Sequence, residues 1–127
     1  MLTPLALLMN RKIRKAAPTV TLSEAAQMMR DEKIGSIFIE DGGQFVGIVS
    51  ESDLVRRGIA EGKNPGNTPV KDVMSYPIIS IDIDKTAKDA NDLMATRGIR
   101  HLAVTDRGKI VGVLSVRDLV ICFKNRI

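Results

Sequence analysis

Tryptophan is absent from this chain, tyrosine and histidine occur once each, and aromatic residues make up 3% of it. So few flat side chains leave little on which single-stranded bases could stack, so nucleic acid is not expected as a partner. The single cysteine, Cys122, cannot form an internal disulfide, and its place in the apolar run 119–123 points to a buried structural thiol. The single histidine, His101, lies far from it in sequence, so no metal site is expected. No stretch approaches the roughly 18 uninterrupted apolar residues of a membrane span. The apolar run 2–9 is broken by Pro4 and followed by Arg11, Lys12, Arg14 and Lys15, so no secretory leader is expected and the protein is taken as cytoplasmic. Phosphate-loop, histidine-pair and serine-elbow signatures are missing too. The expectation is therefore no enzyme, no catalytic residue and no catalytic cofactor.

What is present is ordinary globular material: 127 residues, 44% hydrophobic and 27% charged, enough for one compact domain. The formal net charge of +4 is spread along the chain, with residues 11–15 as its densest patch. Scattered charge of this kind is usually a solvated face.

The dominant pattern is an internal repeat. Thr3, Pro4, Met9, Ile13, Thr21, Ala25, Met29 and Ile34 recur as Thr68, Pro69, Met74, Ile78, Thr86, Ala90, Met94 and Ile99, each 65 residues later. The offset continues without a gap through Asp41, Gly43, Val46, Gly47, Ser50, Asp53, Leu54 and Val55. Residues 1–62 form the first copy, with a connector from about residue 58, and residues 66–127 form the second. A copy of about 60 residues buries too little surface to stand alone comfortably, so the two are expected to pack together.

Each copy reads as strand, helix, two strands and helix. The first strands are expected at 13–15 and 78–83, the latter alternating apolar and polar residues at period two. Thr21-Leu22-Ser23-Glu24 and Thr86-Ala87-Lys88-Asp89 fit the capping pattern that satisfies free amides at a helix start. Strands at 36–40 and 45–50, and at 101–105 and 110–115, flank the tight-turn sequences Asp41-Gly42-Gly43-Gln44 and Asp106-Arg107-Gly108-Lys109. Second helices should begin near Ser52 and Val116, and the glycine- and proline-rich stretch 58–69 should link the copies.

The segments Gly47-Ile48-Val49-Ser50-Glu51-Ser52-Asp53 and Gly112-Val113-Leu114-Ser115-Val116-Arg117-Asp118 resemble the glycine, apolar, apolar, serine or threonine, x, x, aspartate signature of cystathionine-β-synthase (CBS) domains. Gly98-Ile99-Arg100-His101-Leu102-Ala103-Val104 is similar to that family's helix-to-strand junction. The resemblance covers the whole chain and implies an α+β fold of two tandem βαββα repeats, a Bateman module. It also implies facing three-stranded sheets about a pseudo-twofold axis and two clefts for adenine nucleotides or S-adenosylmethionine. Pairing as a homodimer and regulation of an unidentified partner protein are further implications.

A carboxylate at a helix start can accept both cis hydroxyls of a ribose, and a neighbouring serine with free amides can bind phosphate. Asp53 and Asp118 are the ribose candidates, with Ser50 and Ser115 as the matching hydroxyls. The same Ser-x-x-Asp spacing also satisfies a capping box, and the two roles can coexist. By the family's geometry, the resemblance implies a main site of Asp53 and Ser50 with Arg100, His101 and Arg117 neutralising phosphate. A second, weaker site would use Asp118 and Ser115 opposite Gly35, Ser36 and Ser52, which carry no charge. Adenine contacts are expected from the first strands, at Ile13, Lys15, Ala16, Ile78, Ser80 and Ile81. The leading expectation is an adenine-nucleotide sensor. The alternatives are a structural or protein-interaction pair without ligand, and an S-adenosylmethionine binder.

Overall fold

The computed structural model describes residues 3–124 and carries the repeat through to its elements. In chain order these are α1 (Leu5–Leu8), β1 (Lys15–Ala16), α2 (Leu22–Glu32), β2 (Ser36–Asp41), β3 (Gln44–Ser50) and α3 (Glu51–Asp53). A π-helical stretch, Leu54–Ile59, continues α3, and a 3-10 turn, Val70–Asp72, lies near the start of the second copy. There follow β4 (Ser80–Asp82), α4 (Ala87–Arg97), β5 (His101–Asp106), β6 (Lys109–Ser115) and α5 (Val116–Lys124). The result is α+β, with two three-stranded sheets ordered β1-β2-β3 and β4-β5-β6.

The local causes are those visible in the residues. Thr21 and Glu24, and Thr86 and Asp89, form reciprocal capping boxes at the starts of α2 and α4. The hairpin turns place Gly42 and Gly43 at φ 60° and 82°, and Arg107 and Gly108 at φ 53° and 80°. Two consecutive left-handed residues make the turn whose twist matches antiparallel strands. In both hairpins the register slips by one, between Ile39 and Glu40 and between Val104 and Thr105, leaving Val46 and Val111 as the extra residues.

Several expected boundaries shift; the second copy's first strand, expected at 78–83, spans only Ser80–Asp82. The first strand lies at Lys15–Ala16 rather than 13–15, because Ile13 donates to the Arg11 carbonyl in a turn while Lys15 and Ala16 pair in parallel with Phe38 and Ile39. The second helix of the first copy starts at Glu51, immediately after its serine cap. Gly58, expected to open the connector, is instead buried within the π-helical stretch. A Cβ there would stand 2.9 Å from Leu22 Cδ1, so glycine lets this helix approach α2.

The compact units do not follow the repeat boundaries. One unit is Arg14–Ile78, and the other joins Met1–Ile13 to Ile79–Ile127. Segment 4–10 therefore belongs with the second copy and segment 69–75 with the first. Leu5 and Met9 sit in the core with Ala90, Met94, Leu102 and Leu119. Val70 and Val73 occupy the equivalent core with Ala25, Met29, Ile37 and Leu54. Asn10 exchanges two backbone hydrogen bonds with Val113, and Ser75 does the same with Ile48. Each segment thus adds a strap to the outer strand of a hairpin.

Candidate functional site

Each hairpin delivers its last strand residue directly to a helix start, and the candidate carboxylates lie there. In the first copy Ser36 pairs with Ser50 in register, and Glu51 donates its amide to the Gly35 carbonyl at 3.0 Å. In the second, His101 pairs with Ser115, and Val116 donates to the Arg100 carbonyl at 2.9 Å. Two pseudo-equivalent clusters result: Gly35, Ser36, Ser50, Ser52 and Asp53 in one unit, and Arg100, His101, Ser115, Arg117 and Asp118 in the other.

Asp53 is buried, its side chain 10% exposed, and both of its oxygens are engaged. Oδ2 accepts from the Ser50 amide at 3.0 Å and the Ser50 hydroxyl at 3.1 Å, while Ser50 Oγ accepts in turn from the Asp53 amide. The Ser75 hydroxyl reaches Oδ1 at 3.1 Å and Oδ2 at 3.3 Å, and Arg57 Nε lies 3.8 Å from Oδ1. Arg57 also donates to the Met74 carbonyl at 3.3 Å. The capping box is therefore real at Asp53, and the strap adds to it.

Asp118 makes the same box with Ser115, at 2.8 Å from the amide and 2.9 Å from the hydroxyl. Both bonds fall on Oδ2, and Oδ1 has no hydrogen-bond partner among the described residues. Asp118 is half-buried rather than buried. The cause is two substitutions across the repeat: Cys122 stands where the unit Arg14–Ile78 has Arg57, and Asn10 where that unit has Ser75. Asn10 turns its Oδ1 to the Lys12 amide at 2.9 Å instead. Cys122, expected to be buried, is half-buried and packs on the second core.

Arg100 and Arg117 are exposed and make no ion pair among the described residues. His101 is half-buried in β5. Arginine presents permanently charged, forked donors suited to a phosphate or carboxylate.

The adenine-side candidates behave unequally. Ile81 is 7% exposed and lies in the core, which leaves only its backbone for a ligand. Lys15 pairs with Glu40 at 3.2 Å, Ala16 packs on the first core, and Ser80 is exposed. Ile13 and Ile78 are half-buried, one in each compact unit.

Sequence reasoning passed over Ser75, Arg57 and Met74. The straps explain the repeated glycines: a Cβ on Gly47 would meet Met74 Sδ at 2.6 Å, and one on Gly112 would meet Met9 Sδ at 2.7 Å. The available signal was the identity of Met9 and Met74 at the same offset as the glycines, without a geometry to connect them.

An α+β protein built from a tandem βαββα unit, with a serine-aspartate helix start at the end of each hairpin, defines a paired-repeat class. The chain belongs to the CBS domain family, whose family model matches residues 6–59 and 70–125. It is 36% identical over 113 residues to the uncharacterized protein MK0525 of Methanopyrus kandleri, covering 87% of this chain and 58% of that relative's length. It is 32% identical to the CBS domain-containing protein YhcV of Bacillus subtilis, covering 89% of this chain and 80% of that one. Among solved structures, a conserved protein from Pyrococcus horikoshii superposes with TM-score 0.91 at 28% identity, covering 100% of this chain and 96% of the other. The CBS-domain containing protein ATU1752 from Agrobacterium tumefaciens gives 0.87 at 27% identity, covering 98% and 100%.

Proposed function

We propose that the protein is a non-enzymatic regulatory module that binds an adenosine ligand of the AMP, ADP or ATP type through its helix-start aspartates and modulates a partner protein. The observation that carries the reading is the second copy's cluster. A half-buried carboxylate with one oxygen unoccupied among the described residues stands at the same helix start as exposed Arg117, and the Arg100 carbonyl bonds to that helix's first amide. Free carboxylate oxygen suits a ribose hydroxyl, and the cations suit phosphate.

The exposed apolar residues Val55 and Ile59 of the first copy, and Val120 and Ile121 of the second, support a homodimer as the form that acts. No described helix is long and apolar enough to cross a membrane.

A second reading, a ligand-free structural or interaction pair, is favoured by one observation: both Ser-x-x-Asp motifs complete capping boxes. Thermal unfolding separates the two. A ligand that binds only the folded chain raises Tm with its concentration, so saturating AMP, ADP, ATP or S-adenosylmethionine should raise it and Arg117→Ala should blunt the rise. No shift with any of the four at millimolar concentration supports the structural reading.

A further inference from the structure

We infer that Ser75 is a built-in stand-in for a ligand hydroxyl at Asp53, and that a ligand taking this carboxylate evicts Ser75 and loosens the strap to which it belongs. The inference rests on the nucleotide reading for the identity of the incoming hydroxyl. Its geometry lies wholly within Arg14–Ile78.

An ionised carboxylate offers about four acceptor positions. At Asp53 the Ser50 amide and hydroxyl take two, and the Ser75 hydroxyl lies between both oxygens, at 3.1 and 3.3 Å, with Arg57 alongside. A diol can gain Asp53 only by displacing one of these. Ser50 is the helix cap, and losing it would expose amides of α3. Ser75 is the group that can yield, since one rotation about its side chain releases the carboxylate while its amide and carbonyl stay bonded to Ile48 at 2.8 and 3.0 Å.

The release has a direction along the chain. Ser75 Oγ to Asp53 and Arg57 to the Met74 carbonyl are two side-chain ties between the strap and the helical segment. The strap runs on through Tyr76 and Pro77 into β4 at Ser80. Occupation of Asp53 removes one tie and competes for Arg57, which faces the same carboxylate. The other unit has neither group, since Asn10 and Cys122 replace them, so among the described residues a ligand at Asp118 displaces no side chain. Binding and strap mobility are therefore coupled in the unit Arg14–Ile78 alone.

The test titrates AMP, ADP, ATP and S-adenosylmethionine into the wild type, Ser75→Ala and Asn10→Ala. Removing a competing hydrogen bond should tighten binding to Ser75→Ala by roughly 3- to 10-fold. Asn10→Ala should match the wild type. Equal or weaker binding by Ser75→Ala overturns eviction while leaving the nucleotide reading intact. If none of the four ligands binds any variant, the nucleotide reading fails, and hydrogen exchange of ligand-free protein decides the tie. Faster exchange of the amides at residues 75 and 48 in Ser75→Ala supports it, and unchanged exchange overturns it.

Discussion

Gly47 and Gly112 were legible in the sequence as motif residues but not as packing residues, because a glycine's reason lies in whatever approaches it. Here a methionine sulfur and a strap carbonyl do so: Ser75 O would lie 3.0 Å from a Cβ on Gly47, and Asn10 O 3.0 Å from one on Gly112. The thioether can swing away more cheaply than the carbonyl, which is fixed by the strap's backbone pairing. Gly47→Ala and Gly112→Ala should each destabilise the fold by about 1–3 kcal/mol, the usual cost of overpacking. Chemical denaturation of the two variants checks this, and wild-type midpoints would show that the straps yield freely. At the same scale, Asp53 and Asp118 were legible as a matched pair. Their inequality was not, because it is made by Ser75 and Arg57, which stand outside the motif in sequence and meet Asp53 only after the strap has packed.

Among the elements, those governed by short-range chemistry match their sequence signals closely. The capping boxes of α2 and α4 and the two left-handed turns appear where their residues predict them. The departures have tertiary causes: β1 is placed by pairing with β2, and the π-helical stretch by the approach of Gly58 to α2. The boxes also set a pH response. Hydrogen bonding from the Thr21 backbone, then its side chain, holds the Glu24 carboxyl below its ordinary value of 4.5. Thr86 does the same for Asp89, below 3.8. A carboxylate whose folded pKa is depressed contributes stability that is complete above its ordinary value and lost as pH falls through the depressed one. Both sites are solvent-exposed, so the effect is local fraying and not global unfolding. First-turn chemical shifts of α2 and α4 should stay helical down through the ordinary carboxylate range and drift toward coil only below it. Fraying already at neutral pH would show that the boxes do not hold.

At the scale of the whole molecule, the family resemblance implied the fold class and the repeat predicted the pairing of equivalent elements. It did not predict that each copy's leading segment completes the other copy's unit. An ungapped offset is blind to such an exchange, since swapping two equivalent segments leaves every aligned pair unchanged. The exchange makes residues near position 5 part of the core built by residues 79–127. Leu5 is fully buried there, so Leu5→Ala should cost about 2–5 kcal/mol. Hydrogen exchange in that variant should rise first in β5 and β6. A rise confined to β2 and β3 would contradict the exchange.

Binding of a charged adenosine ligand at the helix-start aspartates, with the arginines beside Asp118 suited to its phosphate, is the central proposal. It is tested most directly by calorimetric titration of AMP, ADP, ATP and S-adenosylmethionine into the wild type, Asp53→Ala, Asp118→Ala and Arg100→Ala. The account predicts saturable binding of at least one nucleotide, lost or weakened about tenfold or more when a helix-start carboxylate or Arg100 is removed. Binding that survives all three substitutions unchanged, or no heat from any ligand with the folded wild type, would contradict it.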